Sequence, residues 1–295
     1  MIGFLLFPIS LIPLRILYFI SDFLAFFLYY IFKYRRRVVA ENIYKSFLTL
    51  SDNERIIIEK KFYRHFCDNL IETLKLLSMS QKKLASHMSL DCFHLEKLLA
   101  ENQKVHIYLG HQFNWEWAVA HIESVMKKTD VVVVCKPFRV SLRNNLMVQL
   151  RSCLGLQIVS LKKRKKEMDH FSSKQRVLVL VADQNPKNEQ KSYWTSFLSQ
   201  RTAFLKSIEI NTAIDKTPSL FGNIIPEKRG YYKFTLEPIF DFSQPYQRGI
   251  ITKIFVEKLE KAIVSNPYNY RWSHKRWEHT YKNEYHKRWI NRTLL

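Results

Sequence analysis

The stretch VHIYLGHQFNWEWAVAHI, residues 105 to 122, joins a short apolar run to a segment with helical character. VHIYLG is typical of a strand, and the segment NWEWAVAHIESVM, which begins at Asn114, is typical of a helix. His111 stands at the junction, just after the strand. Because open α/β sheets form their sites at the carboxyl ends of strands, this position marks His111 as a candidate site residue.

Further apolar runs rich in Val and Ile follow this one along the chain, at residues 131–135, 156–160 and 177–183. A helix-like stretch separates each run from the next, which predicts βαβ units with strands covered on both faces. Residues 219–225 and 231–239, joined by the turn-like PEKRG, predict a hairpin that closes the sheet. We therefore predict an α/β fold with a central, mostly parallel sheet flanked by helices.

Helical patterns dominate the first hundred residues. Ser51 and Glu54 have the spacing of a capping box, and apolar residues then recur every four positions, which predicts an amphipathic helix over residues 52–78. A second clear helix is predicted near residues 249–265. The chain has 295 residues with no linker-like or repeated segment, so we expect one catalytic-sized domain, residues 35–295, after an N-terminal extension.

The extension, residues 1–34, is predicted to be a membrane anchor. Residues 2–32 are almost continuously apolar, and Lys33 and a run of three arginines follow, which predicts that the chain beyond them is cytoplasmic. Arg15 and Asp22 are two helical turns apart and can share one face, so a shallow or re-entrant segment stays as open as a transmembrane helix. The alternative is that the segment forms a helix buried in the protein core and does not contact a membrane.

The net charge of +21 predicts an anionic partner, whether nucleic acid, an anionic membrane or an acidic protein. Residues 161–169 and 270–289 concentrate the cations, and the second segment interleaves them with tryptophans, a mixture that suits a membrane interface. The chain contains no nucleic-acid motif of recognisable form. GxGxxG and P-loop motifs are missing as well, and the four cysteines have no disulfide or zinc spacing.

Glu116 follows His111 by five residues, a spacing that does not align two side chains on one regular helix. We therefore expect His111 in the loop before the helix, with Asn114 near the cap and Glu116 in the first turn. There a carboxylate can bond one ring nitrogen and leave the other facing a cleft, which makes histidine an oriented general base. On the residues alone, an alternative remains: His111 is a polar residue at a strand end, and Glu116 is a first-turn residue that the helix dipole favours.

Metal chemistry is not predicted, since HExxH is missing and the neighbouring histidines add no ligand spacing. We accordingly expect no metal and no cofactor.

The segment GHQFNWEWA, residues 110–118, resembles the H-x4-D/E motif of glycerolipid acyltransferases. It has the His-x-x-Asn-Trp-Glu form of the lauroyl/myristoyl acyltransferases of bacterial lipid A biosynthesis. Other stretches resemble further blocks of that family in the same order: YRRRVVAENIYKSF (34–47), KPFRVSLRNNLMVQLRSCLG (136–155), VADQNP (181–186) and YNYRWSHKRWEH (268–279). Together they cover most of the chain.

This resemblance implies acyl transfer from an acyl carrier protein thioester to a hydroxyl of a lipid A precursor, at the cytoplasmic face of the inner membrane. His111 would deprotonate the hydroxyl, and Glu116 would hold the imidazole tautomer. Arg151 and Asp183 match positions of functional importance in the family, and we assign them with Asn114 to the substrate side of the site. A solvated helix arginine and an Asx cap are the alternatives for Arg151 and Asp183, and Asn114 is expected to shape the turn.

The chain departs from the family pattern at Phe113, where the family often has glycine, and at Asn185, where it has a second aspartate. These departures leave the acceptor open, so that a lysophospholipid or aminolipid acyltransferase is an alternative. Coenzyme A is an alternative donor. A non-catalytic protein that binds nucleic acid or an anionic membrane is the alternative from another functional class.

Overall fold

The computed structural model describes residues 2–101, 104–126, 129–135, 157–160, 175–214, 216–243 and 245–290. Its strands are β1 (Met88–Asp91), β2 (Lys104–Leu109), β3 (Thr129–Cys135), β4 (Gln157–Ser160), β5 (Gln175–Val181), β6 (Tyr193–Phe197), β7 (Gln200–Phe204), β8 (Ser219–Lys228) and β9 (Tyr231–Phe240). Seven of them form one sheet in the order β1-β9-β8-β2-β5-β3-β4, while β6 and β7 form a separate two-stranded ribbon.

The helices among these residues are α1 (Ile2–Leu11), α2 (Leu14–Phe26), α3 (Arg36–Ser46), α4 (Asp52–Lys75), α5 (Gln81–His87), α6 (Phe93–Glu101), α7 (Trp115–Val125), α8 (Ser207–Ile214) and α9 (Ile250–Ser265). A π-helical segment, Phe27–Ile31, continues α2. Short 3₁₀ helices cover Glu189–Lys191, Pro267–Asn269 and Asn283–Arg288.

The predicted fold class is confirmed. Strands β8, β2, β5, β3 and β4 are parallel neighbours, and β9 runs antiparallel to β8 as the predicted hairpin. Strand β1 pairs in parallel with β9 at the edge of the sheet. The sheet is therefore mostly parallel, with its reversed strands together at one side.

The central strands are covered on both faces, as their continuous hydrophobicity predicted. Val105, Ile107 and Leu109 of β2 pack in a cluster with Trp117 of α7. Tyr108 points the other way, into a second cluster that includes Phe255 of α9. Burial of both faces removes the alternating pattern of a half-exposed strand.

Strand β1 and the ribbon β6–β7 were among the elements that the sequence did not predict. Strand β1 is short and half-exposed at the sheet edge, so it has little apolar pattern. The ribbon β6–β7 turns through Leu198 and Ser199, which adopt positive φ angles of 49° and 63°. Hairpin turns of this kind normally contain Gly, Asn or Asp, and their absence removed the sequence signal.

The helix predicted at residues 52–78 is α4, which ends a few residues earlier, at Lys75. The predicted capping box is present at its start. The Ser51 Oγ accepts from the Glu54 N–H at 3.4 Å, and a Glu54 carboxylate oxygen accepts from the Ser51 N–H at 2.7 Å. The helix predicted near residues 249–265 is α9, capped by Gly249.

Gly222 lies in β8 between the side chains of two neighbouring strands. A Cβ at this position would collide with Leu109 Cδ2 and approach Phe234 Cε2 to 2.8 Å. We predict that Gly222→Ala lowers the free energy of unfolding by about 2 kcal/mol, because overpacked cores respond with strain. Chemical denaturation measures this loss, with Lys233→Ala on the exposed face of β9 as the control. Equal stability of the two variants would contradict the prediction.

Candidate active site

The loop that carries His111 is fixed on two sides. At the end of β2, the Leu109 carbonyl accepts from the Ala182 N–H at 2.9 Å. The C-terminal segment then pairs with the loop, since the Arg271 N–H donates to the His111 carbonyl at 3.1 Å and the Phe113 N–H donates to the Asn269 carbonyl at 3.3 Å. The backbone on both sides of His111 is therefore held by hydrogen bonds.

The His111 ring is held by the carboxylate of Asp183. Strand β5 pairs with β2 so that Val181 stands opposite Leu109, which brings the residues after both strands together. Asp183 Oδ1 is hydrogen-bonded to His111 Nδ1. Asp183 Oδ2 accepts from the His111 backbone N–H at 3.1 Å. Both carboxylate oxygens of Asp183 are therefore hydrogen-bonded to His111.

Asp183 is 2% exposed, whereas the His111 side chain is 16% exposed. Burial raises the pKa of the Asp183 carboxyl, but the His111 ring, its hydrogen bonds and the Arg276 charge together outweigh burial and hold the pKa well below its usual range. An ionised Asp183 accepts a hydrogen bond from the Nδ1–H group, which leaves the lone pair of a neutral ring on Nε2.

The Nε2 atom faces the more exposed side of the site. Its contact is the side-chain amide of Gln184, whose nitrogen lies 3.1 Å away. Gln184 is exposed, so the amide is replaceable by a substrate hydroxyl. The arrangement provides an oriented basic nitrogen at the carboxyl edge of the sheet, which is the geometry of a general base.

A buried tyrosine and arginine lie behind Asp183. Tyr270 is buried near Asp183, and burial together with the Asp183 charge raises the pKa of the Tyr270 hydroxyl. The Arg276 guanidinium, 3% exposed, donates to Asn185 Oδ1 and to the Ala203 carbonyl, both at 2.9 Å. Burial lowers the pKa of Arg276, and the neighbouring Tyr270 and Asp183 oppose that shift. These contacts fix the chain that follows β5.

Sequence reasoning missed Tyr270 and Arg276 as parts of the site. We assigned residues 270–289 to a basic surface, but Trp272 and Arg276 are buried, so that interpretation is wrong for this part of the segment. The Arg276 guanidinium also lies 4.3 Å from the centre of the Phe204 ring. The resemblance of residues 268–279 to a family block could have indicated that Tyr270 and Arg276 belong to the site. The many cations and aromatic residues of the segment favoured a surface instead.

Glu116 lies in the first turn of α7, as expected, and is 8% exposed. The carboxylate that bonds His111 Nδ1 nevertheless belongs to Asp183, in the place where we expected that of Glu116. A catalytic role of Glu116 stays a prediction. Arg151, the other charged candidate, lies outside the described residues.

Asn114 is the N-cap residue of α7 and has a positive φ of 68°. Its side chain is fully buried and donates to Glu72 Oε2 at 2.5 Å. Its backbone N–H donates to Asn69 Oδ1 at 2.6 Å. Both contacts attach the His111 loop to α4, which agrees with the expectation that Asn114 shapes the turn.

Comparison with protein families gives one match that spans nearly the whole chain. The model described as bacterial lipid A biosynthesis acyltransferase matches residues 1–279. Comparison with curated proteins gives no match.

We predict that Asp183→Asn lowers the free energy of unfolding by about 3 kcal/mol, because it removes a buried carboxylate that accepts two hydrogen bonds from His111. Since the folded-state pKa of Asp183 is lowered, its contribution is complete above the unfolded-state value of about 3.9 and is lost as the pH falls below it. Denaturation from pH 8 to pH 3 should therefore show a difference that shrinks only at the acid end. Asp91→Asn, at the exposed end of β1, is the control; a difference independent of pH would contradict the assignment.

Proposed function

The chain belongs to the bacterial lipid A biosynthesis acyltransferase family, and on that basis we propose that it moves a fatty acyl chain from acyl carrier protein to a hydroxyl of a lipid A precursor. The family is made up of acyltransferases, so the chain is an acyltransferase. The observation that carries the finer proposal is the His111 ring, which a buried carboxylate orients with Nε2 toward the exposed side.

In the proposed reaction, His111 Nε2 takes the proton of the acceptor hydroxyl as the hydroxyl oxygen attacks the thioester carbonyl carbon. The tetrahedral intermediate collapses with cleavage of the C–S bond, and the imidazolium returns the proton to the leaving thiolate. Asp183 stabilises the imidazolium through the bond to Nδ1. The acyl group passes directly between the two substrates, without an acyl-enzyme.

We assign a supporting part to Glu116. Glu116 is buried in the first turn of α7, five residues after His111. The resemblance that places Glu116 with His111 in a catalytic pair is consistent with this position. Arg151 is proposed to bind an acceptor phosphate or the developing oxyanion.

Acyl carrier protein is the preferred donor because the chain has a net charge of +21 and carrier proteins are acidic. The acceptor is proposed to be an anionic glycolipid for the same reason. The alternative donor is coenzyme A, and the alternative acceptors are a lysophospholipid and an aminolipid. Experiments must distinguish between these substrates.

We place the protein at the inner membrane with its catalytic domain on the cytoplasmic side. In the part of the chain that the structure describes, the segment Leu14–Ile31 is long and apolar enough to cross a bilayer. Lys33 and the arginines that follow it supply the positive charge expected on the cytoplasmic side. Large apolar side chains are exposed along this segment, which supports attachment to lipid.

We predict that His111→Ala abolishes acyl transfer while the protein stays folded. Lipid mass spectrometry of strains that carry the intact gene, a deletion, His111→Ala or His286→Ala tests this. His286 is exposed on the 3₁₀ helix Asn283–Arg288 and is the matched control. Loss of one secondary acyl chain from lipid A in the deletion and in His111→Ala, with a normal profile for the control, is the expected result.

Altered phospholipids or aminolipids beside an unchanged lipid A would move the acceptor to another lipid. Unchanged lipids in both mutants would overturn the catalytic proposal.

We also predict that salt weakens the use of acyl carrier protein. Because the Debye length falls from about 10 Å at 0.1 M salt to about 3 Å at 1 M, attraction between exposed charges is screened. The apparent KM for the acyl carrier protein thioester should therefore rise several-fold, while the apparent KM for an uncharged thioester analogue stays nearly constant. Equal salt dependence for both donors would contradict docking driven by the net positive charge of the chain.

A further inference from the structure

One face of α2 is bonded to α4 along its length. The Tyr18 hydroxyl donates to Glu72 Oε1 at 2.6 Å, and the Ser21 hydroxyl donates to Asp68 Oδ1 at 2.6 Å. Asp22 pairs with Arg64 at 2.9 Å. These bonds succeed one another at helical spacing, so the polar face of α2 is directed into the protein.

Arg229, in the turn between β8 and β9, holds the same face from the other side. Its guanidinium pairs with Asp68 at 2.6 Å and with Asp22 at 2.8 Å. It also donates to the Tyr18 carbonyl at 3.1 Å and lies 4.6 Å from the centre of the Tyr18 ring. One cation thus joins α2, α4 and the hairpin.

Both ends of the N-terminal helices are attached to α4 as well. At the junction of α1 and α2, Lys75 Nζ donates to the carbonyls of Ser10 and Ile12, at 2.6 and 3.0 Å. Beyond α2, Arg36 donates to the Tyr29 hydroxyl at 3.0 Å and pairs with Glu59 at 3.1 Å. Helix α4 therefore runs antiparallel to the whole apolar segment.

This attachment is incompatible with a helix that crosses the bilayer. If α2 crossed, α4 would cross beside it and carry its charged residues to the depth of the hydrocarbon. These residues are Glu59, Arg64, Asp68, Glu72 and Lys75. Charged side chains in the middle of a membrane are costly, and α4 also carries the exposed cations Lys60 and Lys61. The length of the apolar segment is consequently a poor guide to its orientation.

The opposite face of α2 and its π-helical continuation is apolar and exposed. Its members recur at intervals of three and four residues: Ile16, Phe19, Ile20, Phe23, Phe26, Phe27, Tyr30 and Ile31. Exposed cations border the far end of this face, namely Lys33, Arg35 and Lys60. Lys60 Nζ lies 5.9 Å from the centre of the Tyr30 ring. An apolar stripe with a basic border fits one leaflet that contains anionic lipids.

We propose that α2 lies flat in one leaflet of an anionic membrane, with its apolar stripe among the acyl chains and its polar face clamped to the catalytic domain by Arg229. This proposal rests on the proposed membrane attachment and goes beyond it by setting the orientation. The N-terminus and the catalytic domain are then on the same side of the membrane. Glu72 links α2 to Asn114 and so to the His111 loop, which places the site close to the leaflet from which a lipid acceptor comes.

The first test locates both ends of the full-length chain. Short protease-cleavable tags are added at the N-terminus and at the C-terminus, and protease is applied to spheroplasts and to inverted membrane vesicles. We expect both tags to be protected in spheroplasts and cleaved in inverted vesicles. Tags on opposite sides would overturn the proposal, because the segment would then cross. Recovery of the chain in the soluble fraction would overturn the membrane attachment, whereas the lipid profile reports separately on catalysis.

The second test removes the apolar stripe without touching the clamp. Purified Phe19→Ser, Phe23→Ser and the intact protein are floated with vesicles of phosphatidylglycerol and phosphatidylethanolamine. Each substitution should weaken vesicle binding by about tenfold or more, since it removes an aromatic side chain from the acyl-chain region. Ile214→Ser on α8, which is also strongly exposed, is the control and should bind normally. Unchanged binding of both Phe variants would show that the stripe is not the lipid contact.

Discussion

The carboxylate of Glu72 connects the parts of the molecule that the proposed function needs. It lies on α4, is fully buried, and accepts from Tyr18 of α2, from Asn114 at the start of α7 and from Tyr232 of β9. Burial raises its pKa to about 7, because the interior disfavours the charged form more than the donors stabilise it. A buried carboxyl group is costly unless its hydrogen bonds are formed. The bonds of Glu72 therefore fix α4, α2, α7 and β9 relative to one another.

The active-site geometry follows from that framework and from the order of the strands. Because β5 lies beside β2, Asp183 reaches His111 although 72 residues separate them. Arg276 and Tyr270, from the segment after α9, close the arrangement behind Asp183 and leave the His111 ring as the more exposed partner. The buried partners restrict the carboxylate, while His111 Nε2, the proposed base, lies on the more exposed side. This division suits a base that must be rigid on one side and accessible on the other.

The proposed membrane-facing surface and the candidate active site share a support. Helix α4 carries the bonds to α2, and through Asn69 and Glu72 it also fixes Asn114 beside His111. The proposed reaction brings a water-soluble donor and a membrane-embedded acceptor together at His111 Nε2. A helix that lies in the leaflet and is bonded to the catalytic domain meets that requirement, since the domain cannot turn away from the lipid surface.

The sequence by itself determined the local elements: the apolar runs of β2, β3, β4, β5, β8 and β9, the capping box at Ser51, and the place of His111 at a strand end. These features depend on residues that are close neighbours in the chain, and periodicity and capping report them. The tertiary structure decided which carboxylate bonds His111, how Arg276 is buried and which face of α2 is exposed. Each of these depends on polar and charged residues that strand order and helix packing bring together from distant positions in the chain. Such contacts leave no periodic pattern in the local sequence.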